Sequence, residues 1–110
     1  MSAAETRKAG YLCLLTCLEL VRSTAERDLA DFKIGIELGL GGQKAGSYAQ
    51  AWVNDTVELT AEVLAGYRRG AAVDMGMVNF WHRKSSVLGF TVQDCDNAEA
   101  KAQRLMAEAA

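Results

Sequence analysis

From Phe32 onward, apolar and polar positions alternate one by one. Phe32, Ile34, Ile36, Leu38 and Leu40 are separated by Lys33, Gly35, Glu37 and Gly39. This period of two gathers one residue class on each face of an extended strand. The pattern returns in Val57, Leu59, Ala61 and Val63 against Glu58, Thr60 and Glu62, a half-buried strand in its simplest form. Further runs from Ser47 to Val53, Ala72 to Trp81, the latter apolar on both sides, and Val87 to Val92 complete five segments. Between them stand turn signals: Gly41-Gly42 through Gly46, Asn54-Asp55, Gly66 through Gly70, and His82 through Ser86. Strands at this spacing predict an antiparallel meander.

Upstream the period is different. Tyr11, Leu15, Leu18, Ala25, Leu29 and Phe32 recur at steps of three and four or their sums, which draws one apolar stripe along a helix. Ser2 with Glu5 is a capping box at its start, and Ser23 with Glu26 is a second that would break and restart it. A continuous helix from Ala3 to about Ala30 would be ~40 Å long. At the other end, Asp96 with Glu99 caps an alanine-rich helix from Asn97 to about Glu108. The fold class read from these patterns is α+β: a long N-terminal helix, a five-stranded antiparallel meander and a C-terminal helix, as one globular domain over residues 1–110.

An all-α helical bundle is the alternative. Residues 48–65 contain neither glycine nor proline, Ser47 with Gln50 offers a cap, and Val53, Val57, Ala61 and Leu64 also lie at helical spacing.

Charge and cysteine content narrow the setting. A formal charge of -2 gives no general attraction for polyanions or anionic lipid. Three cysteines, Cys13, Cys17 and Cys95, cannot all pair within one chain, so a reducing compartment, the cytoplasm, is expected. The apolar run from Tyr11 to Val21 follows Arg7 and Lys8 as a signal segment would. It contains Glu19 and is about half the ~20 residues that span a bilayer, so it reads as a core helix and no membrane partner is expected.

Candidate chemistry is sparse. A meander puts successive turns at opposite ends of the sheet, so Cys95 and His82 should stand too far apart for a thiolate and imidazolium pair. Cys13 and Cys17 share a helix face and would make half of a tetrahedral zinc site, with no second half in the sequence; they read as core thiols. No catalytic residue, metal site or cofactor is expected.

Apolar residues exceed what two helices can cover. Tyr48, Trp52, Val78 and Phe80 are therefore expected on an exposed sheet face that binds a macromolecular partner, a second copy of the chain first and another protein next. The expected function is a non-enzymatic, homodimeric interaction module. A curved sheet would instead enclose a small-ligand or enzymatic cavity lined by Asp74, Met75, Met77, Trp81 and Phe90, with Asp74 its acid or base. Third comes RNA or single-stranded DNA, through Tyr67, Arg68 and Arg69 at one turn and His82, Arg83 and Lys84 at another. No motif specifies a family.

Overall fold

The computed structural model describes residues 2–109. Four helices follow one another: α1 (Ala3–Glu37), α2 (Gln43–Arg68), α3 (Met75–Ser86) and α4 (Val92–Ala109). Among the described residues there is no strand, so the α+β meander is overturned and the all-helical organisation is the one found.

α1 begins as its sequence predicts, with the Glu5 N–H donating to Ser2 Oγ at 3.1 Å. It does not break at Ser23. It runs through Phe32–Glu37, the first segment read as a strand, and ends in a Schellman motif. The Leu40 N–H donates to Gly35 O at 2.9 Å and the Gly39 N–H to Ile36 O at 3.0 Å, with Gly39 at φ 74°. Gly39 is thus a helix stop, not an interior strand glycine. α2 ends the same way: the Ala71 N–H bonds Gly66 O, the Gly70 N–H bonds Tyr67 O, and Gly70 sits at φ 80°.

The second and third predicted strands merge into α2. Its inward stripe is Ala49, Trp52, Thr56, Leu59, Val63 and Gly66, spaced three or four apart, while Val57 points out. Thr56 is fully buried, and its hydroxyl is satisfied by donating to Trp52 O (2.8 Å) and Val53 O (3.0 Å). The fourth predicted strand, Ala72 to Trp81, is a short connection followed by α3, whose N-cap is Asp74. The fifth, Val87 to Val92, is the loop into α4. α4 starts five residues earlier than the Asp96 box suggests. Its reciprocal cap is Thr91 with Asp94: the Thr91 N–H donates to Asp94 Oδ2 and the Asp94 N–H to Thr91 Oγ1, each at 3.1 Å.

α1 is the axis of the molecule. Tyr11, Leu14, Leu15, Cys17, Leu18, Leu20 and Val21 are all buried, so this stretch is apolar around its circumference and must be enclosed. α2, α3 and α4 each pack against it, and α2 also packs against α4. α3 and α4 do not pack against each other. α2 and α3 meet through the edge-on rings of Trp52 and Trp81, 5.8 Å apart.

Polar contacts fix these neighbours in place. At the start of α1, the Arg7 guanidinium donates to Tyr67 O and Ala71 O at the end of α2, and Tyr11 Oη donates to Ala71 O at 2.9 Å. Within α1, Arg22 pairs with Glu19 and Glu26, and Lys101 of α4 reaches Glu19 at 3.1 Å.

Candidate functional site

The two faces that the helices leave open are the candidate sites. Each is built by helix ends and gaps, not by a catalytic motif.

The first lies between α1, α2 and the end of α3, a groove of about 440 Å³. Phe32, Tyr48, Trp52, Val87 and Leu88 supply its apolar walls, and Asp28 and Lys84 add one charge of each sign. The Lys84 ammonium stands 4.6 Å from the Trp52 ring centroid, a cation–π contact that fixes the ring at the groove wall. α2 lies against α1 here: a Cβ at Gly46 would stand in ordinary contact, 3.7 Å, with Phe32 and Ile36.

The groove opens toward the α1–α2 turn, where α1 continues about nine residues beyond Asp28, or ~14 Å. Leu38 and Leu40 at that turn are 68% and 78% exposed, and Tyr48 and Val87 on the groove walls are 62% and 80% exposed. Ile34 and Ile36 are exposed beside them.

The second groove, about 510 Å³, lies where α3 and α4 fail to meet. Cys13, Cys17, His82 and Cys95 all line it, together with Ser85 and Glu99. A meander would hold Cys95 and His82 apart at opposite ends of its fifth strand; with α3 and α4 flanking α1 instead, they line one groove. All three thiols are free: Cys17 is buried, Cys13 half-buried and Cys95 exposed. Burial pushes the Cys17 thiol up, the neighbouring Ser85 hydroxyl partly offsets this, and the Cys13 and Cys95 thiols raise it further.

No family model, curated protein or solved structure matches this chain. Function is therefore read from the placement of its own residues.

Of the four residues expected on a partner face, Tyr48 and Trp52 share the first groove. Val78 is buried in the core. Phe80 is exposed on α3, edge-on to Trp81 at 5.2 Å and 6.0 Å from the Lys84 ammonium. The sheet face itself does not exist.

The expected ligand cavity is dispersed. Asp74 is an exposed helix cap whose Oδ1 accepts the Gly76 N–H at 2.9 Å and the Met77 N–H at 3.2 Å, which accounts for a carboxylate in an apolar run. Met75 is exposed, Met77 and Trp81 pack in the core, and Phe90 belongs to the second groove.

The two basic turns do not combine into a patch. Tyr67 packs against Tyr11 with tilted rings 5.2 Å apart and carries the Arg7 guanidinium at 4.9 Å. Arg68 Nε donates to Ala109 O at 3.2 Å, and Arg69 is exposed. His82 and Arg83 are exposed on α3, and Lys84 lies level with Trp52. Trp52 and Arg69 are ~25 Å apart along α2.

Among the described residues, no helix is long and apolar enough to cross a membrane. Nor do any three His, Cys, Asp or Glu side chains there form a group able to hold a metal ion.

Proposed function

We propose that this chain is a helical interaction module that works by self-association, with the first groove and the adjoining α1–α2 turn as its contact surface. The supporting observation is that an apolar projection and an apolar groove occupy the same end of one protomer. Leu38 and Leu40 form the projection; Phe32, Tyr48, Val87 and Leu88 form the groove. A two-fold interface requires one surface patch to be complementary to itself. A projection beside a matching groove meets that requirement, since each protomer inserts its turn into the groove of the other. Asp28 and Lys84 give the groove walls balanced charge, so two copies meet without net repulsion.

The test is native mass spectrometry with light scattering on the full chain, compared with Leu40→Glu and Tyr48→Glu. Both positions are exposed, so the helices should persist in far-UV circular dichroism. The wild type should be a dimer and both variants monomers. A monomeric wild type, or variants as dimeric as wild type, refutes the proposal.

A second reading is supported by the size of the same groove. Pockets for small apolar ligands occupy roughly 300–1,000 Å³, and this one falls inside that range. A retained small molecule in the native mass spectrum of a monomer would favour it over self-association.

A further inference from the structure

Every cysteine and the single histidine of the chain line one groove, although they come from positions 13, 17, 82 and 95. The side chains with the greatest affinity for soft metals are therefore gathered in the groove between α1, α3 and α4. Within that set, Cys13 and Cys17 are special. They lie one turn apart on a rigid helix, where Cβ atoms are about 5–6 Å apart and side chains point the same way. Both line the groove, Cys13 half-buried and Cys17 buried. Leu12, Leu20 and Phe90 make the surroundings apolar.

Donor number decides what such a pair can bind. Zinc in structural sites takes four protein ligands, and the described residues hold no group of three that could serve a metal ion. A closed-shell monovalent ion makes smaller demands, since two thiolates in line satisfy it, and soft sulfur ligands select it over harder ions.

We propose that Cys13 and Cys17 form a binding site for a soft monovalent cation, Cu(I) in chemical class, held between two thiolates in the groove between α1, α3 and α4. Two S–H bonds break and two S–Cu bonds form. Both protons leave to solvent, and the copper stays in the +1 state, so no oxidant or reductant is consumed. The site is on a different side of α1 from the proposed self-association surface and does not depend on it.

The experiment is an anaerobic titration of the full chain with Cu(I) against a chromophoric Cu(I) chelator. Wild type should withdraw one Cu(I) per chain from the chelator and develop a near-ultraviolet thiolate-to-copper absorption. Because binding displaces two protons, apparent affinity should rise with pH by up to about 100-fold per unit while both thiols remain protonated. Cys13→Ser should lower affinity at least tenfold with unchanged helicity, and Cys95→Ser should retain wild-type affinity. Cys17→Ala should abolish binding; if that buried substitution disturbs folding, the half-buried Cys13→Ser decides alone. Failure of wild type to compete with the chelator overturns the proposal. So does wild-type affinity in Cys13→Ser, or loss of binding in Cys95→Ser.

Discussion

Replacing Arg7 by alanine should destabilise the protein out of proportion to its place seven residues from the chain start. The Arg7 side chain closes the end of α2 from outside. Its Nε donates to Ala71 O at 2.8 Å, its second nitrogen donates to Tyr67 O, and the guanidinium carbon stands 5.1 Å and 4.9 Å from the Tyr11 and Tyr67 ring centroids. A hydrogen bond from a charged donor contributes roughly 1.5–3 kcal/mol, and a partly exposed cation–π contact about 0.5–1 kcal/mol. The low end of each range applies. Neither carbonyl is orphaned by the substitution, because Tyr11 Oη still reaches Ala71 O and the Gly70 N–H still reaches Tyr67 O. Arg7 is also only half-buried, so solvent screens its charge. Two hydrogen bonds and two cation–π contacts at those low ends would sum to about 4 kcal/mol; because all four share one guanidinium they do not add fully, and the expected loss is about 2–3 kcal/mol for Arg7→Ala. For Arg7→Lys it is about 1–2 kcal/mol, since an ammonium cannot bond both carbonyls in a planar fork. Urea unfolding followed by far-UV circular dichroism measures both. An Arg7→Ala variant within ~0.5 kcal/mol of wild type would show that the clamp is ornamental and the reasoning wrong.

Three further outcomes follow from the packing and the caps. Leu18→Ala removes a fully buried side chain from the middle of α1 and should cost about 3–5 kcal/mol in the same urea experiment. Asp74→Ala deletes the cap of α3 and should cost about 1 kcal/mol, whereas Asp74→Ser should restore most of it; an enzyme-like role for Asp74 would not be rescued by serine. The backbone N–H and hydroxyl of Thr91 hold the Asp94 carboxyl below the ordinary aspartate value. The stabilisation of α4 from that lowered value is complete at neutral pH and is lost as pH falls through it. A carbon-detected NMR titration should find Asp94 titrating below typical aspartates, and nearer to them in Thr91→Val; equal titration in the two proteins would contradict the cap.

How far the fold was legible depends on which signal is trusted. The start of α1 was readable, because Ser2 and Glu5 stand just before a helical stripe. The central region was misread because period two and period 3.6 overlap over short runs. Val57, Leu59, Ala61 and Val63 alternate, yet only Leu59 and Val63 turn inward, and the stripe continues through Thr56 and Gly66. Even the helical alternative, built on Val53, Val57, Ala61 and Leu64, chose a face rotated from the true one. Thr56 was invisible as a core residue because its hydroxyl is satisfied within its own helix. The missed information lay in glycine placement. Gly39 and Gly70 each follow a long stretch that could be helical, the position a Schellman stop needs, and weighing them as stops would have separated α1 from α2 and α2 from α3. Tyr48 and Trp52 were recognisable as surplus apolar residues without knowledge of their element. The thiol groove was not, since its members are brought together only by the way α3 and α4 flank α1.

Both open surfaces descend from one mismatch of lengths. α1 has 35 residues and α2 has 26, whereas α3 has 12 and α4 has 18. At ~1.5 Å per residue, α1 is ~52 Å long and α3 only ~18 Å, against a longest molecular dimension of 55 Å. A helix apolar around its circumference needs neighbours on every side, and two short helices whose backbones stay apart leave one side open along their own length. That opening is the thiol groove. Beyond their ends, α1 and α2 continue with no third helix to cover Phe32, Ile36 or Tyr48, and that opening is the apolar end. Extending α3 within this topology would narrow the first groove, and drawing α4 toward α3 would close the second. The two grooves are thus set by where α3 stops and where α4 starts. α3 ends with the Leu88 N–H donating to Ser85 O, Gly89 follows at φ 70°, and the Thr91–Asp94 cap starts α4. Lengthening the loop between them should leave the α1–α2 contact intact while loosening the Cys95 and Phe90 wall. The order in which the two proposed activities respond to such an insertion would separate the end of the bundle from its side.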